Sequence, residues 1–301
     1  MKFRKAADRI AEKLIFAVAL AAAAIIGLIF IYVGREALPV VTGSSEGITL
    51  GSLFTSPYTW QPVSIEPKYN VLPLIIGTLK ITLIAMLVAV PLGLAAAVYT
   101  AEFAPPRLRE WVKPAIELLA GIPSVVLGFF ALMVLATWLQ SGFRLTYRLN
   151  ALTAGIALAF AVIPIIYTVS EDALAAVPRL YREASLALGA SKGQTAFRVV
   201  LPAAVPGVAA AIILGFGRAI GETMIVLMVS GNSATLSLNP SVPARTLSAT
   251  IAAEMAEAVV GSGHYQVLFF IGALLFIMTA LINWIGDRFN RRLRERLFGQ
   301  A

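Results

Sequence analysis

Six long apolar runs, separated by short stretches marked by glycine, proline or charge, set the pattern of this chain. The first, residues 14–33, follows a basic lead of Lys2, Arg4, Lys5, Arg9 and Lys13. It is long enough to cross a bilayer core, which takes roughly 20 residues, whereas a signal-peptide core usually has about 7 to 15. An uncleaved first helix is expected, followed over residues 34–70 by a Gly/Ser/Thr/Pro-rich loop whose Trp60 and Tyr69 suit a membrane interface. The remaining spans are expected over residues 71–99 (with Pro73 and Pro91), 116–139, 150–169 (broken by Pro164), 205–229 and 265–285. Short loops at 140–149 and a longer segment at 230–263 lie on one side, and polar returns at 100–115 and 170–204 on the other. The expected organisation is residues 1–70 as lead, first helix and loop, 71–290 as a five-helix unit, and 291–301 as a basic tail.

Composition agrees and decides the class. At 59% hydrophobic and 13% charged residues, with a mean hydropathy of +0.84, there is too much apolar surface for one soluble core. An all-α integral membrane protein with six transmembrane helices is expected. Cysteine is absent and His264 is the single histidine, which removes disulfides, thiolate chemistry and histidine metal clusters. A membrane enzyme would lack the groups it needs.

Charge sets the orientation. Seventeen lysines and arginines fall in the lead, the 100–115 and 170–204 returns and the chain end from Asp287 onward, against five on the other side, Arg35, Lys68, Arg144, Arg148 and Arg245. The positive-inside rule then makes both termini cytoplasmic. The net charge of +8 is accounted for by this asymmetry, without nucleic-acid binding.

Two spans carry charge that lipid would not welcome. Arg218 and Glu222 lie in the fifth, four residues apart and so on one helix face, and each would cost on the order of 2.5 to 3.5 kcal/mol at a helix centre. They are either a pair that only locks the helix or part of a polar path. Gly217 and Gly221 flank them at a spacing that admits a close helix neighbour. Lys80, about ten residues into the second span, would add positive potential to an anion path, pair with a neighbouring subunit's glutamate, or pack at a lipid edge. Glu254 and Glu257 read as the wet face of a short interfacial helix within residues 247–260, and His264 as an interface residue.

The return from 171 to 202 has its own pattern: Glu183-Ala184-Ser185, three residues, Gly189, nine residues, then Val199-Val200-Leu201-Pro202. Residues 183–188 and 194–200 suit two short helices, Gly189 and Gly193 supply the bend, and Pro202 and Pro206 suit the first turn of the next helix. The cluster Gly189-Ala190-Ser191-Lys192-Gly193-Gln194-Thr195 lacks the GxxxxGK[ST] order and follows no expected strand, so no nucleotide site is expected here. The spacing resembles the EAA loop of ABC importer permeases, through which such subunits dock into separate ATPase subunits. Ser185 replaces the second alanine, a small-for-small change.

The runs GRAIGETMIVLMVSGN, RTLSATIAAEMAEA, HYQVLFFIGALLF, GTLKITLIAMLVAVPLG and GIPSVVLGF resemble, across residues 71–290, the permeases of the phosphate-specific importer, PstC type. The resemblance implies a type I ABC permease fold, working by alternating access in a bacterial or archaeal inner membrane. It implies a non-catalytic subunit that binds no cofactor itself, with ATP and Mg on two partner ATPase subunits. A second, PstA-like permease and a periplasmic phosphate-binding protein would complete the assembly. It places Arg218 and Glu222 on the phosphate path. The residues alone leave sulfate, molybdate or phosphonate open, because a guanidinium serves any oxyanion, and a secondary anion transporter is the other alternative.

Overall fold

The structure, a computed structural model, describes residues 2–45, 47–55 and 57–299, and the side chains of these except 2–10 and 296–298. The side chains of Lys2, Arg4, Lys5 and Arg9 in the basic lead and of Arg296 in the tail lie outside the described residues, as do Gln300 and Ala301.

In chain order, α1 (Lys2–Thr42) leads to a loop containing a two-stranded antiparallel hairpin, β1 (Trp60–Gln61) and β2 (Lys68–Tyr69). Then come α2 (Leu72–Val98), closed by a π turn at Tyr99–Phe103, and α3 (Pro106–Ala120). α4 (Ser124–Phe130) runs through a second π turn, Ala131–Leu135, into α5 (Ala136–Phe143). α6 (Ala151–Ala175) and α7 (Arg179–Ala187) follow. α8 (Lys192–Thr195) runs through a third π turn, Ala196–Val200, into α9 (Leu201–Gly221). The chain ends with α10 (Met224–Val229), α11 (Leu247–Glu254) and α12 (Gly263–Phe298).

Six stretches are long and apolar enough to cross a membrane: Ala11–Thr42, Leu72–Phe103, Ser124–Phe143, Ala151–Ala175, Lys192–Gly221 and Gly263–Glu295. All six expected spans are therefore present, but two are cut differently. The third begins at Ser124 rather than at 116, because Pro123 disfavours helix at the residue before it. What precedes it, α3, is an amphipathic surface helix with no buried residue. The fifth begins at Lys192 rather than 205. Pro202 does not start a new helix but sits inside a continuous one. A proline ring there would meet the carbonyl four residues back, and the widened π turn just before it relieves that clash.

The centre is built by α2, α6 and α9. Small residues on α2 and α6 (Ala85, Ala89, Ala154, Ala157, Ala161) let the helices close up, and Ile81, Leu158, Val162 and Ile166 fill the seam. One end of the bundle has a second core, where Val40, Leu53, Trp60 and Leu74 meet Leu247, Leu268 and Ile271. The opposite end has a third, of Val98, Tyr167, Leu174, Val200 and Val208. α1 stands at the edge along α12, with Phe30 against Phe276 at 4.8 Å and the Tyr32 and Tyr265 hydroxyls 3.1 Å apart. Most of its apolar side chains are exposed, as befits a surface that lipid covers.

Candidate functional site

The fifth span breaks where its charges are. α9 ends at Gly221, and Glu222 adopts an extended backbone (φ −68°, ψ 130°) before α10 begins. The freed groups are met locally: Thr223 Oγ1 donates to the Gly221 carbonyl at 3.2 Å, and Thr223 N–H donates to Glu222 Oε1 at 3.2 Å. This corrects the expected continuous helix over 205–229. Glu222 closes the helix that carries Arg218, and no ion pair forms between them. Glu222 is half-buried, while Arg218 is exposed on a stripe of α9 with Leu214 and Gly221. Among the described residues the Arg218 guanidinium has neither an ion-pair nor a hydrogen-bond partner. Gly217 faces α12, where a Cβ would lie 3.5 Å from Asn283 Oδ1, and the space beside Gly221 is open.

The segment after α10, expected over 230–263 as an external stretch with a short interfacial helix, packs partly into the bundle instead of lying wholly on its surface. Ala244 and Thr246 to Thr250 are buried, and a Cβ on Gly77 of α2 would overlap the Arg245 carbonyl. Glycine is needed there for close backbone approach. α11 enters the bundle with its first turn capped by Thr246, whose Oγ1 accepts from Ala249 N–H at 3.2 Å. Leu247 N–H donates to Thr78 Oγ1 at 3.1 Å, and Ser248 Oγ donates to the Glu222 carbonyl at 2.9 Å. The break in the fifth span and the buried end of α11 thus hold each other.

Lys80, 8% exposed, gives its ammonium protons to the carbonyls of Ser237 (2.9 Å) and Asn239 (3.1 Å). Among the described residues its partners are this chain's own backbone carbonyls, and through them it pins the 230–246 loop to α2. Glu254 is likewise not a wet-face residue. Its carboxylate takes the Trp60 indole N–H at 3.0 Å and Arg245 Nη2 at 2.5 Å, with His264 Nε2 at 3.5 Å. His264 stacks on Tyr69 with ring centroids 5.8 Å apart. Glu257 is exposed, as expected.

At the other end, α7 and α8 form the two arms expected of the 171–202 return. Gly189 makes the bend at φ +83°, a region that favours glycine. Ser191 opens α8 with a reciprocal cap, its Oγ accepting from Gln194 N–H and its own N–H donating to Gln194 Oε1. Ser185 and Thr195 join hydroxyls at 2.9 Å across the arms, so the residue that departs from the EAA pattern makes a contact alanine could not. Glu183, Ala184, Gly189 and Pro202 are exposed, Leu201 is half-buried, and Leu188 stands 89% exposed at the tip. Gly193 makes no bend, since it lies inside α8.

Two charged clusters brace this end, and the sequence reading missed both. Glu171, fully buried on α6, binds Arg109 and Lys113 of α3, the latter at 2.7 Å, and Lys113 also reaches Asp172 at 2.7 Å. Those two carboxylates, Asp172 first, hold the Lys113 ammonium above the usual lysine range. Arg182, on the inner side of α7, reaches Glu102, the Leu174 carbonyl near the end of α6 and the Val177 carbonyl in the turn beyond it. The signal that could have found them was the presence of Glu171 at the end of an apolar run and Glu102 just beyond another.

A scan against family models matches residues 89–297 to the binding-protein-dependent transport system inner membrane component. Among curated relatives, the probable ABC transporter permease protein YqgH of Bacillus subtilis is 40% identical over 229 residues, 76% of this chain and 74% of its own. The phosphate transport system permease protein PstC of Mesorhizobium japonicum is 35% identical over 275 residues, 85% of this chain and 83% of its own. That of Xylella fastidiosa is 36% identical over 278 residues, with 85% and 84% covered. Among solved structures, a bacterial alginate ABC transporter aligns with TM-score 0.65 at 15% identity, covering 95% of this chain and 97% of that one. The MetNI methionine ABC transporter aligns with TM-score 0.57 at 22% identity, covering 73% and 95%. At these identities the two structures speak for the fold alone. With the family model and the relatives in agreement, the chain belongs to the binding-protein-dependent transport system inner membrane components and, among them, to the ABC importer permeases of PstC type.

Proposed function

We propose that this chain is a permease subunit that carries inorganic phosphate into the cytoplasm by alternating access. It works beside a second, PstA-like permease, is driven by two ATPase subunits that hold ATP and Mg, and is fed by a periplasmic phosphate-binding protein. The setting is a bacterial or archaeal inner membrane with both termini cytoplasmic. The chain is then a non-catalytic subunit with no cofactor of its own, and residues 183–202 are its grip on the ATPase.

The observation that carries this reading is Arg218: a guanidinium without a protein partner, exposed on α9 one turn before the helix breaks. An anion passing that face would meet a charged, bidentate donor. Glu222, close by at the break, would keep the arginine from holding its ligand too firmly, since a conduction site must release what it binds. Lys80 supports the path indirectly, because it fixes the 230–246 loop beside it. Phosphate rather than another oxyanion is supported by the likeness to permeases named for phosphate transport.

The test is uptake of labelled inorganic phosphate by the whole complex in vesicles. Sulfate and molybdate at equal concentration should not compete. Arg218→Gln should lower uptake by about tenfold to a hundredfold, the worth of a charged hydrogen bond at about 1.5–3 kcal/mol. Glu222→Gln should also impair it, and because the two groups are not paired, the double variant should recover nothing. Recovery in the double variant, or uptake displaced by sulfate, would count against the reading.

A further inference from the structure

We infer that Arg182 is a positioning residue that carries the movement of the gripping loop into the α2–α6 core, through Glu102. This rests on the proposed coupling to ATPase subunits and adds a route by which that coupling reaches the transmembrane helices.

α7 is joined to the bundle by backbone at both ends, but the α6–α7 link is a turn through Pro178 and the α7–α8 link bends at Gly189. A hinge at each end would let α7 move without dragging anything. Arg182 removes that freedom. Its Nη1 donates to the Val177 carbonyl at 2.6 Å and its Nη2 to the Leu174 carbonyl at 2.8 Å, so the guanidinium holds the C-terminal end of α6 and the turn that leaves it. A cation is favoured at a helix C-terminus, where carbonyls are left unpaired. The same Nη2 meets Glu102 Oε1 at 2.6 Å, and Nε lies 3.2 Å from both carboxylate oxygens.

Glu102 belongs to the π turn that closes the second span. One planar side chain therefore joins the gripping arm to the ends of α2 and α6, the two helices whose seam forms the centre of the molecule. Both partners are largely withdrawn from water, at 21% and 9% exposed, where a charge pair is screened little and holds its geometry. Arginine suits the place because its planar fork serves two carbonyls and a carboxylate in one fixed geometry. Glu183, the next residue, faces outward and is exposed, so consecutive positions divide the work: one faces outward for a partner, the other turns inward to the core.

The experiment uses the complete complex, with a single cysteine replacing Gly221. The natural chain has no cysteine, and the space around Gly221 is open. The rate of thiol labelling at 221 is compared in the resting complex and after trapping with ATP and vanadate, which reports the coupled movement without depending on the transported anion. With Arg182 intact, trapping should change the rate. In Arg182→Met, with the ATPase subunits still co-purifying, that change should shrink by roughly tenfold, within the range by which single residues modulate coupling. Arg182→Lys, which keeps the charge but loses the fork, should give an intermediate response, and Glu102→Gln a reduced one. A full trapping response in Arg182→Met overturns the inference. If that variant does not assemble, an undiminished response in both Arg182→Lys and Glu102→Gln overturns it equally. An unsubstituted chain that retains no ATPase subunits defeats the functional proposal itself, and the inference with it.

Discussion

Glu254 shows how much a single residue can hide. Together with Glu257 it reads in sequence as a pair on one short helix. In the fold the two have nothing in common. Glu254 joins the hairpin (Trp60), the dipping segment (Arg245) and the start of α12 (His264), while Glu257 is exposed. Glu254→Gln leaves Arg245, 15% exposed, without its counter-charge, which should cost about 3 kcal/mol. A thermal melt of the purified protein should show a clear drop for Glu254→Gln and, for Glu257→Gln, a change within about 0.5 kcal/mol. The difference was not legible because the decisive partner, Trp60, lies 194 residues away in sequence. Arg218 and Lys80 were legible as anomalies, since charge inside an apolar run stands out. The backbone partners of Lys80 and the helix break after Arg218 were not, because a folded-back loop and a broken helix leave only weak traces in hydropathy.

At the scale of elements, the spans were readable and their punctuation less so. Ser124 and Lys192 mark helix starts that the apolar runs misplace, in the first case because α3 is itself helical, in the second because a π turn carries the helix through Pro202. Gly189 was correctly readable as a bend. Its φ of +83° is strained for other residues, yet a Cβ there would touch nothing, so a substitution acts through the backbone alone. Gly189→Val should cost about 1–2 kcal/mol in the turn and loosen the arms, weakening ATPase co-purification. Gly189→Asn, which tolerates the left-handed region, should retain it. Equal loss in both would point to the side chain rather than the bend.

For the whole molecule, the charge count and the six spans make one arrangement with a simple check. Ser141, at the end of the third span, and Ser191, at the tip of the gripping loop, are both exposed. In the cysteine-free chain, a cysteine at 141 should react with an impermeant thiol reagent from outside, and one at 191 only after the membrane is opened. The opposite result would reverse the orientation taken from the positive-inside rule. The architecture as a whole was legible because hydropathy reports burial in lipid directly. The segment 244–250 was not, since its apolar stretch is too short to announce that it re-enters the bundle.

The uncovered guanidinium of Arg218 has a bearing on how the cell keeps its subunits in proportion. A chain that has found its companions gives this charge an aqueous or protein surrounding. One left over faces its charge toward lipid, at a cost of up to about 3 kcal/mol, and displays a polar defect that membrane proteases can recognise. Surplus copies would then be short-lived, so that supply is trimmed to demand after synthesis. Pulse-chase of the chain expressed alone should show a shorter half-life than in co-expression with the complete complex, and Arg218→Leu should lengthen the life of the lone chain. A lone chain as durable as the assembled one would mean that Arg218 finds water without help.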